Sequence, residues 1–231
     1  MLRDMIKKLD WDSDFFELQI GEVNVEDTRF PLEDASYDLL YVRSNSDVAP
    51  YIEGYKNTFS ERILIYTREI KSDVIDTLNE YILPFNEDDF SLSELYELAY
   101  IGGRYSRFHL DEEFDNQKFR NLYRKWIDNS LNKSNGDELL VYQENGQLMG
   151  FVVYSVNQDY ATYRLLAVSP NFQGKGIAKK LLEFVAGKLS LVSINKLVIP
   201  TQKSNEVACG LYEKLGYKIS EEKYIKHYWK I

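Results

Sequence analysis

A glycine-rich segment between a strand-like run and an amphipathic run has the composition of an anion-binding loop. The sequence VSPNFQGKGIAKKLLEF (168–184) places Gly174, Lys175 and Gly176 directly before a helical pattern. Glycines let consecutive backbone N–H groups converge on an anion, and a helix N-terminus adds partial positive charge. Lys175 and Lys179 supply full positive charges nearby. The segment therefore predicts a phosphate-binding loop.

Two common phosphate-binding loops do not fit this segment. A dinucleotide loop G-x-G-x-x-G needs a small residue where the chain has Lys179, and an acidic residue about 20 positions further on, where it has Val198. A nucleoside-triphosphate loop needs Ser or Thr after its Gly-Lys pair, and Gly176 occupies that position. Both interpretations fail, which leaves a different phosphate-bearing cofactor.

The remaining motif resembles that of a known superfamily. Gln-x-x-Gly-x-Ala (173–178), directly after LLAVSP, resembles the acyl-CoA-binding signature of the GCN5-related N-acetyltransferase (GNAT) superfamily, and NEVACGLYEKLGY (205–217) resembles its closing segment. The resemblance implies an acetyl-CoA-dependent N-acetyltransferase with the GNAT α/β (α+β) fold, a mixed and mostly antiparallel sheet flanked by helices. The cofactor residues that it implies are Leu166, Ala167, Val168, Gln173, Gly174, Lys175, Gly176, Ile177, Ala178, Lys179 and Asn205.

The same resemblance implies how the reaction proceeds. Tyr212 matches the general acid that protonates the departing CoA thiolate, since a phenol of pKa about 10 suits a thiol of about 8.5; the alternative is that its ring only packs against the sheet. The backbone of residues 166–168 would pair with the pantetheine arm and polarise the thioester. Asn205 serves as a helix cap, a cofactor contact or both. Direct attack by the amine is expected, because no histidine neighbours Cys209 in the sequence.

A narrower resemblance concerns the acceptor. LDWDSDFFELQIGEV (9–23), YSRFHLDEEF, LYRKWIDNSL and the late KHYW are similar to the branch that acetylates nucleotide-linked amino sugars, typified by dTDP-fucosamine (dTDP-4-amino-4,6-dideoxygalactose) acetyltransferase. That branch implies a carboxylate base in the N-terminal part, and Glu61 is the matching residue. The alternative is an ordinary exposed glutamate before a strand. His109 and His227 are weaker candidates for the base.

The segment GGRYSRFHLD (102–111) is the best indication of an acceptor site. Arg104 and Arg107 are suited to pair with a nucleotide diphosphate, and Tyr105 and Phe108 to stack on a base or sugar. The alternative is a loop between domains with solvated arginines. A protein N-terminus, a polyamine or an antibiotic as acceptor stays open, as does a non-catalytic acyl-CoA-binding regulatory module.

Composition narrows the class of protein. The 231 residues carry a formal net charge of -9, which disfavours nucleic-acid binding. No apolar run approaches the roughly 20 residues of a membrane span, and the first residues lack a signal-peptide core, so we expect a cytoplasmic protein. No spacing of Cys, His or carboxylates indicates a metal site. The expected partner is a small-molecule amine, and a homodimer stays open.

The elements that position these residues follow from periodicity. We predict an N-terminal α/β domain over 1–90, with acceptor-side contacts, and a catalytic GNAT domain over 91–231, the turn-rich 84–94 stretch lying between them. Within the first part the patterns predict a strand or hairpin over 16–26, strands over 37–44 and 62–70, and a helix over 72–83.

The second part predicts the element order α, β, β, β, α, β, α, β. Its helices are predicted over 115–131, 176–189 and 204–216, and its strands over 160–168, 194–200 and 224–231. A hairpin over 138–156 turns at Asn145-Gly146, because Asn-Gly accepts the positive φ of a type I′ turn.

Overall fold

The computed structural model describes residues 6–25, 36–70, 79–133, 136–192 and 194–231. The strands are β1 (Lys7–Lys8), β2 (Ile20–Asn24), β3 (Leu39–Ser44), β4 (Tyr55–Glu69), β5 (Ile82–Pro84), β6 (Asp137–Glu144), β7 (Gln147–Val156), β8 (Tyr160–Val168), β9 (Lys196–Gln202) and β10 (Lys218–Lys230). The helices are α1 (Asp10–Phe16), α2 (Leu92–Gly102), α3 (Arg107–Leu110), α4 (Asn116–Leu131), α5 (Ile177–Ser190) and α6 (Glu206–Lys214).

The strands form a single sheet in the order β1-β2-β3-β10-β4-β9-β8-β7-β6-β5. Only the β2–β3 and β8–β9 pairs of the described strands are parallel. The predicted mixed, mostly antiparallel sheet with flanking helices is confirmed.

The sheet is covered by helices on both faces. Along β7, Val152 and Tyr154 belong to a core cluster that includes the apolar side of α5, whereas Phe151 and Val153 belong to a second cluster with α2 and α4. Since successive strand residues point to opposite faces, the two clusters lie on either side of the sheet. This arrangement places α5 and α6 on one face.

Strands from both predicted domains interleave in this sheet. β4 lies between β9 and β10, and β3 lies on the other side of β10. The strands of the 1–90 segment therefore extend the sheet of the 91–231 segment instead of forming one of their own. That residues 1–90 and 91–231 form two domains stays a prediction.

The element order predicted from residue 115 onward is confirmed. The turn between β6 and β7 has the positive φ angles expected of it, 53° at Asn145 and 74° at Gly146. The strands predicted over 62–70 and 224–231 are longer than expected, because β4 and β10 pair with one another along most of their length.

The prediction of a strand or hairpin over 16–26 is confirmed as a strand within the described residues: α1 ends at Phe16, and Gly21 lies inside the single strand β2. The helix predicted over 72–83 lies partly outside the described residues, and its described end is a turn that leads into β5. β5 pairs with β6, so a partner distant in sequence overrides the helical spacing.

The sheet opens between β8 and β9. These strands pair only from Tyr160 to Thr162, after which β9 continues along β4 while β8 continues along β7 to Val168. A register shift at Arg164, between the pairs formed by Leu165 and Tyr163, adds a bulge to β8 at this point. The rest of β8 is therefore left with one unpaired edge.

Candidate active site

The opening beside β8 is a cleft with a volume of about 630 Å³. We call it the first cleft. Every predicted cofactor residue except Lys175 lines it: Leu166, Ala167, Val168, Gln173, Gly174, Gly176, Ile177, Ala178, Lys179 and Asn205. The Lys175 ammonium instead lies 5.0 Å from the centroid of the Phe172 ring. The fold thus gathers residues of β8, α5 and α6 around one cavity.

The glycine loop has a backbone that favours glycine at two positions. Gly174 and Gly176 have φ angles of 77° and 78°. The side-chain amide of Gln173 donates a hydrogen bond of 3.0 Å to the Val168 carbonyl, which connects the loop to the end of β8. α5 begins at Ile177, so the N–H groups of its first turn have no partner within the helix and lie beside the cleft. This geometry suits a pyrophosphate.

Replacing Gly176 by alanine tests this loop. The left-handed conformation would cost alanine roughly 1 kcal/mol of stability, and the new methyl group would project into open space, because no atom lies within 4 Å of its position. We expect CoA to bind about tenfold more weakly by calorimetric titration, equivalent to roughly 1.4 kcal/mol. Gly54→Ala, at φ 75° and outside the cleft, is the matched control. An equal loss of CoA affinity in both variants would refute a role specific to the loop.

The free edge of β8 presents backbone groups to the first cleft. The Ser169 N–H donates to the Met149 carbonyl of β7 at 2.8 Å, so by strand alternation the N–H groups of Leu166 and Val168 point away from β7. α2 ends close by, since a Cβ at Gly102 would lie 3.3 Å from the Leu166 carbonyl oxygen. An extended amide-bearing chain such as pantetheine fits this edge as an added strand.

Tyr212 lies on α6 with its ring against the sheet and lines the first cleft. The ring contacts Tyr66 edge-on, with 5.6 Å between the centroids, and only 5% of the residue is exposed. Its hydroxyl makes no hydrogen bond to a described residue. Burial raises the pKa of Tyr212 above its ordinary value of 10.0, so the phenol keeps its proton at neutral pH. The hydroxyl is therefore present as a hydrogen-bond and proton donor at neutral pH, and it is a weaker acid than a solvated phenol.

A second cleft, of about 840 Å³, also borders β8. Leu165 lines this second cleft and Leu166 the first, so consecutive residues of one strand border both. The predicted acceptor residues are divided between them. Arg107 and Phe108 line the second cleft, whereas Arg104 and Tyr105 line the first.

Glu61 lies in the second cleft, near the middle of β4, opposite Ile225 of β10. The residue is 9% exposed, and its Oε1 atom has no hydrogen-bond partner among the described residues. Burial raises the pKa of Glu61 to about 7, against the opposing charges of Arg107 and Arg43. The alternative of an exposed glutamate is therefore wrong. A buried carboxylate that titrates near neutral pH is suited to general-base chemistry.

Similarity to known proteins decides the family. The sequence model of the acetyltransferase (GNAT) family matches residues 92–217. The chain belongs to the GNAT acetyltransferase family. The predicted superfamily membership is confirmed.

Two relatives of this GNAT chain have different names. It is 28% identical over 133 residues to the spore coat polysaccharide biosynthesis protein SpsD of Bacillus subtilis, which covers 58% of this chain and 46% of that protein. It is 31% identical over 94 residues to the [ribosomal protein bS18]-alanine N-acetyltransferase of Escherichia coli, covering 40% of this chain and 64% of that protein. The chain thus spans between about half and two thirds of the length of these relatives.

Solved structures share the fold. A functionally unknown conserved protein from Staphylococcus epidermidis matches with a TM-score of 0.62 and 16% identity, over 85% of this chain and 74% of that one. The PaiA N-acetyltransferase of Thermoplasma acidophilum, solved in complex with coenzyme A, matches with a TM-score of 0.51 and 21% identity, over 65% of this chain and 98% of that one.

The histidines and the cysteine of the GNAT chain lie outside both clefts. His227 is fully buried, with its Nδ1 atom 2.6 Å from Asp111 Oδ2, and the His109 ring packs 4.7 Å from that of Phe119. Cys209 is buried on α6 and its Sγ donates to the Gln202 carbonyl at 3.7 Å. None of the three lines a cavity that holds Tyr212 or Glu61. Asn205 caps α6 by accepting from the Ala208 N–H at 3.3 Å while it also lines the first cleft.

Sequence reasoning did not single out Trp11, an exposed aromatic residue of the second cleft. Trp11 lies on α1, is 48% exposed and stacks on Phe15 with 5.1 Å between the ring centroids. The signal was available, because Asp10 and Asp12 suit the first turn of a helix and Trp11 and Phe15 are spaced i, i+4.

The described residues contain neither a membrane-spanning helix nor a metal-binding cluster. No helix there is long and apolar enough to cross a membrane. No group of three His, Cys, Asp or Glu side chains there is arranged to hold a metal ion.

Proposed function

We propose that this chain transfers an acetyl group from acetyl-CoA to a primary amine. One observation carries the proposal. The free edge of β8, which ends in the glycine loop, is shared between a cleft that holds a protonated tyrosine and a cleft that holds a buried carboxylate. Acetyl-CoA bound in the first cleft and an amine bound in the second would meet at this strand.

The residues of the first cleft fit CoA. The glycine loop and α5 would hold the pyrophosphate, with Lys175 and Lys179 adding charge nearby, and the edge at residues 166–168 would pair with the pantetheine arm. When bound, acetyl-CoA supplies an acetyl thioester, which the amine attacks. Tyr212 would donate its hydroxyl proton to the departing sulfur. Glu61 would accept a proton from the ammonium form of the acceptor, directly or through water.

For the acceptor, we favour the amine of a nucleotide-linked amino sugar, as in the dTDP-fucosamine acetyltransferase branch. The relative from Bacillus subtilis is named for polysaccharide biosynthesis. The second cleft has the volume of a ligand-sized site and offers Trp11 as a flat apolar face and Arg107 as a cation. Phe108 is not available for stacking on a ligand, because its ring is buried between Phe16 and the Arg107 guanidinium. Arg104 and Tyr105 would meet such an acceptor only where it reaches the first cleft.

A protein N-terminus is the second candidate acceptor. The similarity to the bS18-alanine N-acetyltransferase of Escherichia coli supports it. The net charge of -9 also favours encounter with a cationic peptide.

An amine panel separates these candidates. We expect thiol release from acetyl-CoA to proceed with dTDP-4-amino-4,6-dideoxygalactose at a kcat/KM at least tenfold above that with spermidine or an alanine-terminated peptide. Mass spectrometry of the product would show the added acetyl group, and reactions without amine would give the hydrolytic background. The best acceptor identifies the class. A lack of turnover with every amine, together with tight CoA binding, would refute the enzymatic proposal and favour a regulatory module.

A further inference from the structure

Arg107 is a cation in the wall of the second cleft that makes no close ion pair, although Asp12 and Glu61 of the same cleft interact with its charge over a longer distance. Its guanidinium lies over the faces of Tyr41 and Phe108, with 3.9 and 4.3 Å to the ring centroids. No carboxylate of the described residues comes within 4.0 Å of it. The two other arginines that line this cleft differ, because Arg43 is paired with Glu22 and Arg164 with Asp137. The guanidinium is half-buried, and an anionic group of a ligand in the second cleft would supply the close ion pair that it lacks.

One side chain fixes the direction of the guanidinium. Arg107 Nη1 lies 3.0 Å from Nε2 of His227, a fully buried residue. Burial lowers the pKa of His227 to about 4, although Asp111 opposes the shift, so the imidazole is neutral at pH 7. Since Nδ1 lies 2.6 Å from a carboxylate oxygen of Asp111, the single ring proton belongs on Nδ1. His227 Nε2 is then an acceptor, and Arg107 donates to it.

Asp111 completes the arrangement and fixes the imidazole in turn. The same Oδ2 atom accepts from Trp229 Nε1 at 3.0 Å, and Oδ1 accepts from Thr58 at 3.4 Å. Burial acts to raise the pKa of Asp111, but hydrogen bonds from His227 and Trp229 outweigh it and keep this pKa below its ordinary value. The carboxylate is therefore ionised. One N–H group of the Arg107 guanidinium donates to His227. The guanidinium has five N–H donors, so others can donate to a ligand.

We infer that Arg107, oriented by the buried Asp111–His227 pair, binds an anionic group of the acceptor, a diphosphate if the acceptor is a nucleotide-linked sugar. The inference rests on the proposed function in placing the acceptor in the second cleft. Arg107 is the binding residue, and His227 and Asp111 are positioning residues. A guanidinium held in one orientation offers a planar fork of donors, the geometry that phosphate oxygens accept. Arg104, which is exposed and borders the first cleft, lacks such support.

Binding of dTDP to the CoA-saturated protein tests the inference without requiring turnover. We expect Arg107→Gln to raise the dissociation constant of dTDP about ten- to hundredfold by calorimetric titration, as for the loss of hydrogen bonds between charged groups. Arg120→Gln is the matched control: this arginine also lies over an aromatic ring, that of Tyr100, but outside both clefts. We expect it to change the dissociation constant less than twofold.

Two substitutions of His227 test positioning separately from folding. An asparagine amide at this position would reach the place of Nδ1 and keep the hydrogen bond to Asp111, whereas the longer glutamine amide would reach that of Nε2 and accept from Arg107. We therefore expect His227→Asn to weaken dTDP binding at least fivefold and His227→Gln to stay within about threefold of wild type. With the best amino-sugar nucleotide as acceptor, His227→Asn should raise KM and leave kcat nearly unchanged. If His227 had only a structural role, the loss of dTDP affinity in each variant would follow the decrease of its melting temperature.

The outcomes distinguish this inference from the proposed function. Failure of the wild-type protein to bind dTDP, or equal binding by wild type and Arg107→Gln, would overturn the assignment of Arg107. Equal dTDP binding by His227→Asn and wild type would overturn the positioning role. Arg107-dependent dTDP binding without acetylation of any amine would refute the proposed function and leave the anion site standing.

Discussion

Replacing Tyr212 by phenylalanine is expected to lower kcat for acetyl transfer about 10²- to 10³-fold and to leave CoA affinity within threefold of wild type. The ring keeps its packing against Tyr66 and Tyr217, so the substitution removes only a proton donor. Because burial raises the pKa of the Tyr212 hydroxyl, this group is protonated throughout the usable pH range and its loss is felt at every pH. Steady-state rates with the best amine, together with calorimetric titration of CoA, measure the two quantities.

Tyr217→Phe is the matched control for Tyr212→Phe. Tyr217 is a buried neighbour, with 6.0 Å between the two ring centroids, and it does not line the first cleft. We expect it to change kcat less than threefold. A rate for Tyr212→Phe within threefold of wild type would remove this tyrosine from the mechanism.

Replacing Glu61 by glutamine has the second-largest expected effect. If Glu61 accepts a proton from the acceptor, kcat/KM of the wild-type enzyme rises with pH to a plateau, with a midpoint close to the pKa of about 7. Glu61→Gln should lower the plateau about 10²- to 10³-fold and remove this midpoint. A pH profile with a saturating concentration of acetyl-CoA is the measurement, and Glu69→Gln, at the exposed end of the same strand, is the control.

Glu61→Gln is expected to lower activity but to raise the free energy of unfolding at neutral and higher pH. The folded protein holds the Glu61 proton up to pH about 7, whereas the unfolded chain releases it near 4.5, so folding is favoured at low pH and this contribution is lost as pH rises through 7. The difference corresponds to roughly 3 kcal/mol. We expect Glu61→Gln to be more stable than wild type at pH 8 and similar at pH 4 in urea denaturation. Equal stability at both pH values would contradict a raised pKa.

The order of elements from residue 115 onward was predictable because its signals are local. Asp115 caps α4, Asn145-Gly146 closes a hairpin, and the stripe on α5 repeats at helical spacing. The N-terminal part was harder to predict, since the pairing of β5 with β6 and the length of β4 depend on partners far away in the chain. Local periodicity carries no information about such partners.

The sequence by itself determined the local structure of the proposed donor site. Glycines at 174 and 176, a strand before them and a helix after them predict a loop with the geometry of an anion-binding site, because positive φ angles and helix N-termini are properties of neighbouring residues. Only the tertiary structure decided the rest. The divergence of β8 from β9 makes a cleft, β10 buries Glu61 beside Arg107, and Asp111 meets His227 across 116 positions of the chain. Burial and charge pairing are set by which segments pack together, and they decide the protonation of each group.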